Sequence, residues 1–452
     1  MNYLTHRLFI IILFWVISTH FSIATELPRR ASWEASFAAH PGVGIRIKTL
    51  ENDTPLAIAG AKVDDLVIAV NDVVMSQIYL WDDATNNLVA DIPLTLRIKR
   101  ANQTFVIKPV FNPQERESYT NLQVEYGQIE NDFGILQRTI LTYPNAYQKR
   151  KSESAPAIFM LQGLSCSSIE VLTGRRSNYK KLLSEIVQNS DMFVMRVEKP
   201  GMGDSQGLCS QTDFSQELNG YERALETLLA DPRVDRSRVI VYGNSMGSAI
   251  APYLVNKYSL NGLISDGAFF RTWFEHMLEI ERRIKQMQGL SESQITEQIK
   301  HAYLPLYYGM LVEKRSYADI IQSTPLLATY NYHGDHHMYG RPMSYYHQVQ
   351  DFDFAGQWQQ VKVPTRIRHG KNDWIMSESD NHMIVDSMQQ AGNNNVELYL
   401  YPRLDHWSTL HQTAKDSFEG KPGEWEPKIA TQIVDWAKSL NQKSWRAEST
   451  ME

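Results

Sequence analysis

The sequence predicts an α/β protein with a mostly parallel sheet covered by helices on both faces, preceded by a small β-rich domain. From about Leu122 onward, short apolar runs alternate with stretches of helical period. Before that point, glycine-containing turns separate alternating strands and leave room for only two short helices. With 452 residues and 43% hydrophobic content, the chain is long enough for more than one domain.

The N-terminal segment predicts export. A short stretch ending at Arg7 precedes ten apolar residues, 8–17, and the small residues Ser22 and Ala24 follow at the spacing of a cleavage site. We therefore predict a signal peptide over residues 1–24 and a periplasmic or secreted protein. The alternative is a membrane anchor, but the apolar run is shorter than a spanning helix needs, so no stable anchor is expected after cleavage. The formal net charge of −6, without any basic block, argues against nucleic acid as a partner.

Strand and helix patterns alternate over a second predicted domain, residues 120–441. Buried strands alternating with helices indicate a parallel sheet. The predicted strands are 157–161, 192–197, 239–242, 260–265, 365–368 and 396–401, and the predicted helices are 178–188, 214–230, 246–257, 378–390 and 425–440. An aromatic-rich helical stretch, residues 269–360, interrupts the alternation.

One motif in this domain predicts a nucleophile. Gly243-Asn244-Ser245-Met246-Gly247 joins a buried strand to a helix, and a tight turn there lifts the serine hydroxyl clear of the sheet. A second G-x-S-x-G match, centred on Ser205, is not followed by a helix, so we interpret it as a glycine loop. Ser245 is therefore the predicted nucleophile.

Two later strands predict its partners. Asp373 and His406 each follow the end of a strand, at the sheet edge that also carries Ser245, in the order acid then histidine. We predict that His406 is the base and that Asp373 orients it. The alternatives weighed are Asp266 and Asp405 for the acid, and His369 and His411, the latter expected on a helix, for the base. The backbone N–H groups of Met246 and Leu164 are the predicted oxyanion donors.

Residues 122–440 resemble the α/β-hydrolase superfamily. The resemblance depends on the Ser245 turn, Gln162-Gly163-Leu164, Lys199 to Ser205, Gly370 to Asp373, and Asp405-His406. It implies a serine hydrolase that forms an acyl-enzyme without a cofactor, acting on a small ester or a peptide, and a cap at residues 269–360. Aromatic cap residues are expected to line an apolar pocket. The histidine-rich stretch 332–337 predicts no metal site, because the side chains of adjacent His336 and His337 diverge.

Residues 34–111 resemble a PDZ domain. Gly42-Val43-Gly44-Ile45 takes the place of the carboxylate-binding loop, which implies capture of a peptide or protein C-terminus by strand addition. The alternative is a β-rich spacer that binds nothing. A peptide-binding adaptor with an inactive hydrolase domain is the competing hypothesis for the whole protein. Because the predicted triad lies outside residues 34–111, we expect their deletion to leave hydrolysis of small esters largely intact.

The chain has two cysteines, Cys166 and Cys209. They are either free thiols or one disulfide, and export favours the disulfide. In the α/β-hydrolase sheet, the strands before the two cysteine loops are expected to be neighbours. The loops then leave the same sheet edge, within reach of a disulfide.

Overall fold

The computed structural model describes residues 26–40, 43–149, 154–172, 177–331, 333–334 and 337–441. The predicted signal peptide, residues 1–24, and Gly42 of the predicted loop lie outside these ranges. Within them, no helix is both long enough and apolar enough to cross a membrane. The described chain forms two large sheets, the first with one hydrophobic cluster and the second with a hydrophobic cluster on each face.

The N-terminal domain is an antiparallel sheet with two short helices, α1 (Pro55–Ile58) and α2 (Ile78–Asn86). Its strands are β1 (Ala35–His40), β2 (Gly44–Leu50), β3 (Leu66–Val70), β4 (Val73–Val74), β5 (Leu96–Arg100) and β6 (Gln103–Ile107). They are ordered β1-β2-β3-β5-β6, with β4 paired to β3. The helix predicted over residues 81–90 begins and ends earlier. Its last residues are diverted because Ala31 N–H donates to the Leu88 carbonyl over 2.8 Å and Ala90 N–H donates to the Arg29 carbonyl.

Strand β2 already has a partner on each edge. β1 pairs antiparallel with it, with Phe37 opposite Ile47, while β3 pairs on the other side. Phe37 also packs on Trp81 of α2, with ring centroids 4.7 Å apart. Val43 N–H, in the predicted carboxylate-binding loop, donates to the His40 carbonyl over 3.0 Å. A peptide can therefore add to β2 only by displacing β1.

The second domain begins with two strands that the alternation did not reveal, β7 (Leu122–Glu130) and β8 (Leu136–Pro144). The elements that follow are α3 (Asn145–Lys149), β9 (Ala155–Leu161), α4 (Asn178–Asn189), β10 (Phe193–Val197), α5 (Phe214–Ala230), β11 (Val234–Asn244), α6 (Met246–Tyr258) and β12 (Gly262–Asp266). Helix α5 has the predicted bounds because Asp213 and Gln216 form a capping box at its start.

The segment after β12 is mostly helical, as predicted. Helix α7 starts at a second capping box, formed by Thr272 and Glu275. The helices are α7 (Trp273–Met287), α8 (Glu292–Gln298), α9 (Leu304–Tyr307), α10 (Tyr317–Ser323), α11 (Met343–Asp351) and α12 (Phe354–Gln360). The pattern did not predict a short hairpin before α11, made of β13 (His337–Met338) and β14 (Arg341–Pro342).

The chain then returns to the sheet with β15 (Thr365–Gly370), α13 (Glu378–Gln390), β16 (Val396–Tyr401), α14 (Ala414–Phe418) and α15 (Lys428–Leu440). The strand order is β16-β15-β12-β11-β9-β10-β8-β7. The six strands from β16 to β10 are parallel, and β8 and β7 are antiparallel. The predicted parallel sheet is confirmed, with β9 beside β10. Alternate residues of β9 face opposite cores, so helices cover both faces.

Candidate active site

Ser245 lies in the turn between β11 and α6, in a backbone conformation that non-glycine residues rarely adopt, with φ 56° and ψ −123°. The flanking glycines permit the turn. A Cβ on Gly243 would lie 2.5 Å from the Gly247 carbonyl oxygen, and a Cβ on Gly247 would collide with the carbonyl of Leu161. Ser245 N–H also donates to the Asp266 carbonyl over 2.9 Å. The serine is therefore held at the start of a helix, at the carboxyl edge of the sheet.

Ser245, His406 and Asp373 form one hydrogen-bonded line. The Nε2 of His406 lies 3.0 Å from the Oγ of Ser245, and its Nδ1 lies 2.8 Å from Oδ2 of Asp373. The other carboxylate oxygen of Asp373 accepts hydrogen bonds from the N–H groups of Ile375 and Met376, over 2.9 and 2.8 Å. The turn after β15 thus fixes the carboxylate, and the carboxylate fixes the imidazole.

The charges of this line support each other. Burial acts to lower the pKa of His406, but the Asp373 carboxylate outweighs it and raises that pKa above its ordinary value. Burial acts to raise the pKa of Asp373, but the facing imidazole holds it below the usual range. The carboxylate therefore stays ionised, and the imidazole is a stronger base than a free one.

The alternative acids have structural partners. Asp266 is bound by Arg368, with Nε 2.9 Å from Oδ1 and Nη2 2.6 Å from Oδ2, and it accepts the Tyr242 hydroxyl. Asp405 accepts hydrogen bonds from the Trp407 and Thr409 N–H groups and shapes the loop of the neighbouring histidine. Neither carboxylate is hydrogen-bonded to the His406 ring.

The alternative serine and histidines are structural as well. Ser205 is fully buried, and its Oγ accepts the Arg138 N–H over 2.9 Å. His369 is a buried residue of β15, and its ring meets the Asn381 amide at 3.2 Å. His411 lies in a loop before α14 and not on a helix as expected, because its backbone N–H is bound to the Arg403 carbonyl. Its ring pairs with Asp405 instead, 3.2 Å away.

The two predicted oxyanion donors border Ser245. Leu164 and Met246 both line the cavity above the serine. A Cβ on Gly163 would lie 3.1 Å from the Ser245 Cβ, so this backbone passes directly beside the nucleophile. In the part of the chain that the structure describes, neither the Leu164 nor the Met246 N–H donates to another protein group. The arrangement can therefore bind developing negative charge on a substrate oxygen.

A cavity of about 550 Å³ opens on Ser245. Besides the serine and His406, its aromatic and apolar lining residues include Tyr179, Trp273, Ile280, Tyr339, Trp374, Ile375, Met376 and Trp407. Several buried polar side-chain atoms on its wall have no hydrogen-bond partner among the described residues, and they include Gln162 Nε2, the Tyr179 hydroxyl, Trp273 Nε1 and Trp374 Nε1. These groups suit a substrate that is apolar but carries acceptor oxygens.

Fewer aromatic residues of the cap line this cavity than the composition of the cap predicts. Of the aromatic residues in the segment 269–360, Trp273 and Tyr339 line the cavity. Most of the others pack in the core, among them Phe269, Tyr303, Tyr307, Tyr345 and Tyr346. Buried His276, on α7, also faces the cavity, and burial lowers its pKa to about 3. His336 lies outside the described residues, and within those no group of three or more potential metal ligands occurs.

The N-terminal domain reaches the same cavity, which the sequence did not indicate. Tyr79, Asp82 and Asp83 of α2 line it. The Asp83 carboxylate accepts hydrogen bonds from the Ser210 N–H, over 3.2 Å, and from the Ser210 hydroxyl. The Tyr79 ring stacks on His337 of the cap hairpin, with centroids 3.9 Å apart. Ser245, Asp373 and His406 all lie outside residues 34–111, but part of the pocket wall does not.

Two arginines connect this domain to the second domain. Arg29 binds Glu170, with Nη2 2.8 Å from Oε1, and also reaches Asp204 at 3.2 Å. The backbone N–H of Arg30 donates to Asp204 over 2.9 Å, and its guanidinium reaches Asn87 at 3.1 Å, just after α2. The loop that carries the second G-x-S-x-G motif is therefore a docking point that holds α2 beside the cavity.

Cys166 and Cys209 are joined by a disulfide, with Cα atoms 6.0 Å apart. Cys166 follows Leu164 by two residues, and Cys209 precedes Ser210, the partner of Asp83. The bridge connects the loops after β9 and β10. It therefore ties the segment of the proposed oxyanion donor to the segment that anchors α2.

The fold and the comparisons with known proteins define an α/β-hydrolase enzyme. Residues 174–411, more than half of the chain, match the family described as serine aminopeptidase, S33. The chain therefore belongs to this family.

Its relatives and structural neighbours include esterases and a peptidase. Esterase EstD from Thermotoga maritima is 20% identical over 288 residues, which cover 62% of this chain and 61% of that protein. The Pyrococcus furiosus esterase PF2001 shares 13% identity over 73% of this chain and 96% of its own, with a TM-score of 0.44. An acylaminoacyl peptidase in complex with Z-Gly-Gly-Phe-chloromethyl ketone shares 11% identity over 93% of this chain and 59% of its own, with a TM-score of 0.46.

Proposed function

We propose that the protein is an exported serine hydrolase that cleaves an ester or a short-peptide amide bond through an acyl-enzyme. The observation that carries the proposal is the hydrogen-bonded line from Ser245 through His406 to Asp373, beside two N–H groups that have no partner among the described residues. A hydrolase of this kind needs no cofactor, because nucleophile, base and oxyanion donors all come from the chain.

The proposed reaction has two halves. The Oγ of Ser245 attacks the substrate carbonyl carbon while Nε2 of His406 takes the hydroxyl proton, and the oxyanion binds the Met246 and Leu164 N–H groups. The imidazolium then gives its proton to the leaving alkoxide or amine, which departs and leaves an acyl-serine ester. Water attacks this ester with His406 again as base, and the acid product and free Ser245 result.

The cavity wall favours neutral or cationic substrates over anionic ones. Asp82 and Asp83 lie on it, and no lysine or arginine is found among the described residues that line it. Burial raises the pKa of both carboxyl groups, yet a carboxylate substrate would still meet them at close range. The volume of about 550 Å³ suits a small ester or a short peptide rather than a folded chain.

We propose that the N-terminal domain acts chiefly as a wall of this pocket. Helix α2 supplies Tyr79 and Asp82 to the cavity, and β1 occupies the edge of β2 to which a peptide would add. Capture of a peptide or protein C-terminus at Val43, Gly44 and Ile45 then requires β1 to move away. The adaptor hypothesis depends on that movement and on an inactive serine.

Export is supported by the sequence of residues 1–24 and by the Cys166–Cys209 bridge, which suits an oxidising compartment. Mass spectrometry of the protein from its native host tests it. A mature N-terminus near Thr25 supports the proposal, and an intact Met1 on reduced, cell-internal protein contradicts it.

A fluorophosphonate probe tests the enzymatic proposal, because it modifies serines that a neighbouring base activates. We expect peptide mapping to place the label on Ser245, and hydrolysis of neutral p-nitrophenyl esters or aminoacyl amides to stop in proportion to labelling. An unlabelled native protein that binds C-terminal peptides through residues 43–45 would instead support the adaptor hypothesis.

A further inference from the structure

The backbone beside Ser245 is held by buried cations that take no part in the triad. Lys199 Nζ donates to the carbonyl of Gly163 and lies 3.4 Å from that of Ser165. The guanidinium of Arg341, in β14 of the cap, donates twice to the carbonyl between them, that of Leu164, over 3.2 and 3.1 Å. Three successive carbonyl groups thus face positive charge.

Both cations meet the carboxylate of one residue, Glu217. Glu217 of α5 lies 3.2 Å from Lys199 Nζ and accepts a hydrogen bond from Arg341. All three side chains are at most 1% exposed. Taking such charges out of water costs several kcal/mol per ion, which a salt bridge does not reliably recover. Stability alone is therefore a weak reason for a buried lysine at this position.

The geometry of the peptide unit connects this cluster to the reaction. The Gly163 carbonyl and the Leu164 N–H belong to one planar trans peptide, so they point in opposite directions. Because Lys199 holds the carbonyl on one side, the N–H is directed to the other, where Ser245 and the cavity lie. A cation on the carbonyl oxygen also draws electron density from the nitrogen, which makes the N–H a stronger donor.

We propose that Lys199 is a positioning residue of the oxyanion hole, which orients and polarises the Gly163–Leu164 peptide while Glu217 and Arg341 hold the cluster together. This inference rests on the proposed function, because it concerns the same serine chemistry. Its effect belongs to the chemical step, since the Leu164 N–H faces full negative charge only in the transition state.

The charge of Lys199 titrates near neutral pH. Burial lowers its pKa to about 7, against the opposing effect of Glu217, while Arg341 lowers it further and Glu198 raises it. The ammonium is present below this pKa and lost above it. We therefore expect kcat to decline as the pH rises through this value. An arginine at this position stays charged and removes that decline.

Lys180 provides a matched control. It also donates to backbone carbonyls of the same loop, those of Ser168 and Glu170, and burial lowers its pKa to about 8. Those peptide units do not border Ser245 or the cavity. Loss of this lysine therefore costs comparable packing and hydrogen bonding without touching the proposed oxyanion donor.

The test compares Lys199→Met and Lys180→Met in the full chain with a p-nitrophenyl ester. We expect Lys199→Met to lower kcat and the rate of fluorophosphonate labelling by about ten- to a hundredfold, somewhat less than loss of a whole oxyanion donor. KM should change by less than about twofold, because the ground-state carbonyl binds the N–H weakly. Lys180→Met should keep kcat near wild type at a similar melting temperature.

Lys199→Gln keeps a donor while removing the charge, so it serves if Lys199→Met fails to fold. It should lower kcat about tenfold, and Lys199→Arg should restore part of kcat and remove the decline above pH 7. Unchanged kcat in folded Lys199→Gln, or equal losses in the Lys199 and Lys180 variants, would overturn the inference. A wild-type protein whose Ser245 is not labelled would instead overturn the proposed function.

Discussion

The Nδ1 of His406 lies 2.8 Å from Oδ2 of Asp373, although 33 residues separate them in the chain. Both side chains are at most 10% exposed. Two backbone N–H groups bind the other oxygen of Asp373, and this fixes the carboxylate with Oδ2 facing the imidazole ring. The Asp373 carboxylate favours the His406 tautomer with a proton on Nδ1. Nε2, which faces Ser245, is then unprotonated and can act as a base.

Asp373→Asn should therefore lower kcat by about ten-thousandfold, because the amide favours the wrong imidazole tautomer. The melting temperature should change little, since the amide oxygen can still accept the Ile375 and Met376 N–H groups. The control is Asp266→Asn, which leaves Arg368 without its buried partner. It should cost about 3–5 kcal/mol of unfolding free energy while leaving the triad in place. The reverse pattern would assign the acid to Asp266.

The acid limb of the pH profile of kcat/KM should follow His406. Its active form is neutral, and Asp373 raises its pKa, so activity should be lost as the pH falls through a value above about 6.5, that of a free imidazole. In Asp373→Asn the acid limb of the residual activity should lie at a lower pH than in the wild type. A wild-type limb below pH 6, unmoved by the substitution, would contradict the assignment of this pair.

Reduction of the disulfide should lower both stability and turnover. A bridge across 43 residues stabilises by about 3–4 kcal/mol in the chain-entropy model. It also fixes the loop two residues after Leu164, so kcat should fall with melting temperature in the double variant Cys166→Ala, Cys209→Ala. Thermal unfolding and esterase assays with and without reductant measure both. Two alkylated thiols on the unreduced native protein would rule the bridge out.

The contact between α2 and the cavity leads to a prediction about substrate size. Tyr79→Ala should raise KM about tenfold for substrates that fill the pocket, while hydrolysis of p-nitrophenyl acetate should be nearly unaffected. Val106→Ala, at an exposed position of β6, is the matched control in the same domain. Equal kinetics for large and small substrates in the Tyr79 variant would show that α2 does not limit the pocket.

Local sequence signals were enough to predict Ser245, Asp373 and His406. Each of them follows the end of a strand that the adjacent residues make recognisable. Gly243 and Gly247 mark the Ser245 turn, and alternating strands locate the edge that Asp373 and His406 share. Strand order within the sheet then brings them together, although 161 residues separate Ser245 from His406. The same signal does not separate Asp373 from Asp266, which also ends a strand. Its ion pair with Arg368 shows that Asp266 has a structural role.

The pocket wall could not be predicted in this way. Asp83 and Ser210 are 127 residues apart, and their hydrogen bond depends on how the two sheets dock. Hydrophobic periodicity in the sequence does not predict such docking, because the residues involved are polar and lie outside strands. The same holds for Lys199 and Gly163. They come into contact because β9 lies beside β10 in the sheet. In the sequence, the lysine appears only as part of a glycine-containing loop.

Acid-quench mass spectrometry during turnover of a p-nitrophenyl ester shows whether Ser245 forms an acyl-enzyme. We expect the acyl group on Ser245. We also expect a loss of turnover on the order of a million-fold in Ser245→Ala, and near-wild-type turnover in Ser205→Ala. An acyl group on another residue, or substantial turnover by folded Ser245→Ala, would contradict the assignment of Ser245.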